Sequence, residues 1–211
     1  MFTSFFHPLL RLGGSPPSAF PLPFPRHGTA SRHLRRRARP VTLAELEITL
    51  QGKLAKMKLP SPQFYALQLK PLAAYEVSLE GASRTGFHRP LSLVCPKLYV
   101  VTRDREIHYV GVTNRPMAAR INMGLRAEGK GGYHGYGWKG LKARLRLIVW
   151  SFPEGTREPF LRELETVEAE FAFLVRKRTG QWPLSQTEIH FHHASSAHCK
   201  AAEEMMKQCA T

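Results

Sequence analysis

Two short β-rich runs sit one turn apart near the middle of the chain, and they constrain its folding more than any other feature. Leu98-Tyr99-Val100-Val101 and Ile107 to Val112 are separated by the polar stretch Arg103-Asp104-Arg105-Glu106. β-Branched and aromatic residues suit a pleated, half-buried surface, so two such runs around a short polar link predict an antiparallel hairpin. Thr113-Asn114-Arg115-Pro116 follows at once. Polar cap candidates ahead of a proline predict a helix start, because the first helical turn has no intrahelical use for the missing N–H. The expected helix covers about 116–127, with Met117, Ile121 and Leu125 on one side and Arg120 beside them. Leu145 to Trp150 reads as a third strand, and Phe160 to Arg178 as a long helix closed by Gly180 and Pro183. Ile189 to His193 supplies a candidate last strand. The expectation is an α+β domain over residues 97–193, with a small three-stranded, mainly antiparallel sheet flanked by helices and residues 194–211 as a C-terminal tail.

Upstream the signals are different. Thr42 and Glu45 have capping-box spacing, and Leu43, Leu46, Leu50, Leu54 and Met57 recur three to four apart, which predicts a helix over 43–57. Pro60 and Pro62 end it. Tyr65, Leu67 and Leu69 alternate, as do Tyr75, Val77 and Leu79, so two short strands are expected inside an accessory segment of residues 45–96. Residues 1–44 hold seven Arg, no Lys, no acidic residue and seven of the sixteen prolines. Such a stretch cannot bury enough apolar surface to order itself, so a disordered or non-native extension is expected, with an organelle transit peptide as the alternative. A start at Met57 is a third reading.

Charge then bears on partners. Of 211 residues, 31 are Lys or Arg and 16 are Asp or Glu, a formal net charge of +15. That excess favours polyanions such as nucleic acid. Cys95, Cys199 and Cys209 lie too far apart for a disulfide framework or a zinc signature, so free thiols in a reducing compartment are expected. No run of eighteen or more apolar residues occurs, which predicts no membrane span and a cytoplasmic protein of bacterial type, with organelle targeting left open.

The order Tyr99, then Tyr109-Val110-Gly111, then Arg120, then an acidic residue on a later helix carries a resemblance. Lys97-Leu98-Tyr99 and Tyr109-Val110-Gly111, ten residues on, resemble the paired strands of the GIY-YIG endonucleases. Arg115-Pro116 and Arg120 are similar to the start of that family's first helix and its arginine, and Glu168-Ala169 to its glutamate-bearing helix. Three positions depart from the pattern: Lys97 replaces the first glycine, Gly124 stands where a Tyr or His is frequent, and Trp182-Pro183-Leu184-Ser185 lacks an Asn. The resemblance implies metal-dependent hydrolysis of DNA phosphodiester bonds, RNA not being excluded. It implies Tyr99, Tyr109 and Arg120 as catalytic residues, Gly111 as motif glycine, and Glu168 as the ligand of Mg²⁺ or Mn²⁺.

The chemistry of these residue types agrees with such a reaction. Phosphodiester hydrolysis needs a cation for developing charge, a metal on the phosphoryl oxygen and a group to deprotonate water. Arg120 suits the first, since guanidinium stays charged and forks onto phosphate. A phenol of Tyr99 or Tyr109 suits the last if Arg120 or a metal pulls its pKa down. At 100° per residue, Phe160, Leu164, Val167, Phe171, Leu174 and Val175 form an apolar stripe, and Glu168 falls within it. A carboxylate there is costly without a cationic partner, so Glu168 is the expected ligand and Glu170 the alternative. The loop Gly131-Gly132-Tyr133-His134-Gly135-Tyr136-Gly137-Trp138-Lys139 interleaves aromatic, glycine and basic residues, with His134 as a candidate for proton transfer. Lys139, Lys142, Arg144, Arg146, Arg176, Lys177 and Arg178 are the candidate phosphate contacts. Glu188, His190, His192 and His193 invite a zinc reading, but a closed site needs four ligands, usually with Cys, and only Cys199 is near. Packing or DNA-facing roles are therefore expected, with Glu188 or His190 as stand-ins for the absent Asn. A binding module that kept the fold and lost catalysis is the rival to the nuclease, and oligomeric state is open.

Overall fold

The computed structural model describes residues 59–141, 143–154 and 158–210, so the leader, the expected helix over 43–57 and Lys142 lie outside the described residues. The sheet has five strands where three were expected: β1 (Gln63–Leu69), β2 (Tyr75–Leu79), β3 (Lys97–Arg103), β4 (Glu106–Thr113) and β5 (Arg144–Ser151). Their order is β2-β1-β5-β3-β4 and every pairing is antiparallel. The two extra strands are those of the accessory segment. With β3 on one side, β5 would leave its other edge unpaired, and β1 covers it from Gln63↔Val149 to Gln68↔Arg144. Unpaired backbone groups along a sheet edge favour such coverage.

Three helices lie among the described residues: α1 (Met117–Arg126), α2 (Glu158–Thr179) and α3 (Ser196–Cys209). Strand alternation sorts the core onto the two faces of the sheet. Leu98, Val100, Val110, Ile148 and Trp150 pack with Leu164, Val167 and Phe171 of α2 and with Ala202, Met205 and Met206 of α3. Tyr99, Val101, Leu147 and Val149 turn the other way, toward Met117, Ile121 and Leu125 of α1. β3 is therefore buried on both faces, as a continuous apolar run requires.

Two C-terminal expectations are corrected. Residues 194–211 hold α3, whose buried methionines complete the first core, so this stretch is not a free tail. Ser195 caps it together with His198, and Gln208 accepts the indole N–H of Trp150 at 2.7 Å. Ile189 to His193 forms no strand, and Phe191 is largely exposed. The free edge of β4 takes its bonds earlier: Leu184 N–H donates to Ile107 O and Ser185 N–H to His108 O. The Gln186 side chain accepts Val110 N–H at 3.1 Å. Those bonds occupy part of the β4 edge with residues 184–186 in place of residues 189–193.

Lys97 is fully buried in β3, and its Nζ donates to the carbonyls of Leu93 (2.7 Å), Cys95 (2.8 Å) and Arg115 (3.1 Å). It ties the loop entering β3 to the turn entering α1. The three cysteines are free thiols. Among the described residues no helix is long and apolar enough to cross a membrane.

Candidate active site

The hairpin β3–β4 sets Tyr99 opposite Gly111, with Tyr109 two positions along the same face. The ring centroids of Tyr99 and Tyr109 lie 5.9 Å apart. Glycine at 111 is demanded by this crowding. An added Cβ would stand 2.6 Å from Tyr109 Cε1 and 2.7 Å from both Cζ and Oη of Tyr99. Such contacts are closer than carbon atoms tolerate.

α1 brings Arg120 over this pair. Its Nε–H donates to Tyr99 Oη at 3.1 Å and its Nη1 to Tyr133 Oη at 2.8 Å. Its Cζ stands 5.1 Å from the ring centroid of Tyr136 and 5.8 Å from that of Tyr133, within cation–π range. Burial works against the guanidinium charge, yet the surrounding phenols of Tyr99, Tyr136, Tyr109 and Tyr133 hold its pKa above the ordinary value. Arg120 is thus a half-buried cation held in place by phenols.

Glu168 lies on α2, which packs on the opposite face of the sheet, and it is coupled electrostatically to Tyr109 and Arg120. It is half-buried, and among the described residues it forms no ion pair. Burial pushes its pKa up to about 8; Glu165 and Glu188 add to the rise, while Arg120 opposes it. Tyr109 feels both Glu168 and Arg120. Tyr99, Tyr109, Arg120 and Glu168 therefore share one electrostatic neighbourhood.

The phenols do not behave as expected. Tyr99 is fully buried, and its pKa is raised well above 10 by burial and then by Tyr136, against the weaker pull of Arg120. Burial likewise raises Tyr109, with Tyr99 and Glu168 adding to it. Arg120 alone does not draw either phenol down, because desolvation of the phenolate outweighs its attraction. Both tyrosines are neutral hydrogen-bonding groups.

Other expected residues are placed elsewhere. Glu170 accepts a 3.3 Å contact from the Cys199 thiol, on the side of α2 that meets α3. His134 is exposed and its ring packs over Gly129, where a Cβ would stand 2.7 Å from Cε1. Lys139 is spent on structure, its Nζ donating to Ala127 O and His134 O at 2.8 Å each. Arg146 forks onto Glu80 at 3.0–3.2 Å. Arg144 is exposed at the start of β5, and Arg176, Lys177 and Arg178 are exposed at the end of α2, with Arg176 over Trp182 at 4.9 Å. His190 and His192 pair with Glu188 and Glu165. Among the described residues no group of three or more His, Cys, Asp or Glu gathers as a metal cage.

Tyr136 and Trp138 were not singled out within their loop. They are nearly fully buried, stacked at 4.3 Å, and Tyr136 meets Tyr109 edge-on at 5.4 Å. The only signal in the sequence is the density of aromatics among glycines, which does not separate a surface loop from one folded inward. Gly124 and Tyr136 explain each other, since a Cβ at 124 would collide with the Tyr136 ring. No family model, curated protein or solved structure matches this chain.

Proposed function

We propose that the chain is a divalent-metal-dependent endonuclease of the GIY-YIG kind that hydrolyses DNA phosphodiester bonds. The observation that carries this reading is the convergence of Tyr99, Tyr109 and Arg120 from two strands and a helix, with Glu168 of α2 electrostatically coupled to Tyr109 and Arg120. An acid without an ion pair, costly to charge where it sits yet coupled to the Arg120 cation, is an arrangement that functional sites favour.

The donor set fits a hard cation. Mg²⁺ and Mn²⁺ accept a single carboxylate and complete their shells with water and phosphate oxygens, so a lone Glu168 suffices where a zinc cage would not. Glu168 would hold such an ion, which would supply Lewis-acid polarisation of a phosphoryl oxygen and a more acidic water. Arg120 holds a phosphate oxygen and meets charge that develops on it. The neutral hydroxyls of Tyr99 and Tyr109 orient neighbours and donate hydrogen bonds. The exposed bases Arg144, Arg176 and Lys177 supply phosphate contacts away from the reacting atoms.

The test is nicking of supercoiled plasmid by the full chain with Mg²⁺, Mn²⁺ or EDTA, beside Glu168→Gln and Arg120→Ala. Metal-dependent nicking lost in both variants supports the nuclease. Plasmid binding without nicking in either metal replaces it with the degenerate binding module.

A further inference from the structure

Tyr136 makes contacts that an ordinary buried aromatic does not need. Its loop is clipped to α1 by its own N–H, which donates to Gly124 O at 3.2 Å. Two glycines admit it. A Cβ on Gly124 would occupy the ring's space, and Gly135, at φ +77°, would drive a Cβ into the Gly124 carbonyl. The ring lies between Trp138, the edge of Tyr109 and the guanidinium of Arg120.

Its hydroxyl closes a circuit. Arg120 Nε–H donates to Tyr99 Oη at 3.1 Å, and Tyr99 Oη lies 3.1 Å from Tyr136 Oη. Tyr136 Oη donates to the backbone carbonyl of Arg120 at 3.3 Å. With that proton committed, Tyr99 must donate to Tyr136, so the hydrogen bonds run in one direction from the Arg120 side chain back to its own main chain. Chained bonds of one sense reinforce each other, and burial keeps water from replacing them. A long arginine otherwise loses side-chain entropy to stay in one rotamer.

We propose that Tyr136 is a positioning residue that fixes the rotamer of Arg120 by closing this ring through Tyr99. Its kinetic consequence rests on the nuclease reading, whereas its structural consequence does not. Tyr136→Phe keeps the stacking and the fit over Gly124 and deletes a single hydroxyl. The first measurement is exchange of the Arg120 Nε–H proton by ¹⁵N NMR on the full chain, assigned with Arg120→Lys. The proton is expected to be protected in the wild type and to exchange about tenfold faster or more in Tyr136→Phe, with near-unchanged melting temperature. In plasmid nicking, kcat is expected to fall by about 10–100-fold, the scale of a misplaced catalytic group, with KM held. Unchanged Nε–H exchange overturns the proposal whatever the rate does. Faster exchange with kcat held within about twofold, in a wild type that cuts, overturns it too. If the wild type cuts nothing, the nuclease reading fails, and exchange alone decides the positioning role.

Discussion

Glu168 carries the sharpest consequence at the scale of single residues. A carboxyl lifted to about 8 is mostly protonated at neutral pH, and a metal must displace that proton before binding. At subsaturating Mg²⁺, nicking is therefore expected to rise close to tenfold per pH unit below about 7.5 and to level off above about 8.5, the behaviour of one titrating ligand. A rate flat across that window removes Glu168 from the ligand set. Stability moves the opposite way. The folded state keeps a proton that the unfolded carboxyl sheds near its ordinary value of 4.5, so this group makes the fold less stable as pH rises from about 4.5 to 8. Glu168→Gln abolishes that dependence, and its melting temperature should exceed the wild type's by more at pH 8.5 than at pH 5. Lys97 gives a second test. Burial lowers its pKa, yet three carbonyls depend on its Nζ. Lys97→Met leaves those acceptors buried and orphaned, which costs about 2–4 kcal/mol at roughly 1–3 kcal/mol for each unsatisfied group with partial relaxation. Urea unfolding reads this directly, and an unchanged midpoint would mean that water takes the ammonium's place.

Among the elements, α3 shows what local pattern reading can and cannot find. The hairpin β3–β4, helix α1, strand β5 and helix α2 were legible because each carries its own signal: a period of two, a proline start, or a stripe of period 3.6. α3 carries one too, in Ala202, Met205 and Met206, but short helices rich in Ala and Met with several charges look like a solvated end until a sheet face is known to need covering. The pairing of β1 with β5 was illegible for a related reason, since sheet neighbours far apart in sequence leave no mark in either segment. The same division runs through the site. Tyr99, Tyr109 and Arg120 sit on elements with clear signals, whereas Tyr136 reaches them through positive-φ glycines whose path the sequence does not disclose. If α3 is part of the core, Met205→Ala should cost about 3 kcal/mol, within the range for large-to-small changes at buried sites. Denaturant unfolding measures that loss, and a cost below about 0.5 kcal/mol would place Met205 at the surface.

For the whole molecule, the formal charge of +15 says less than the placement of the exposed bases. Several of the bases are already engaged: Arg120 by phenols, Lys139 by two carbonyls, Arg146 by Glu80. Arg144 and the α2 terminus Arg176-Lys177-Arg178 remain facing solvent. These two groups of bases differ in what their loss should do. A base that contacts phosphate releases counterions on binding, so its removal lowers the salt slope of log K by about 0.9 for duplex DNA. A base that braces a loop changes the fold and leaves the slope nearly as it was. Lys177→Ala is therefore expected to flatten the slope by about one unit with melting temperature unchanged. Lys139→Ala, by contrast, should lower melting temperature and loosen the Tyr136 loop, with the slope nearly preserved. Fluorescence anisotropy of a labelled duplex between about 50 and 300 mM salt, run on both variants beside thermal melts, separates the two. Should Lys139→Ala flatten the slope and Lys177→Ala leave it alone, the DNA path would cross the loop between α1 and β5 rather than the end of α2.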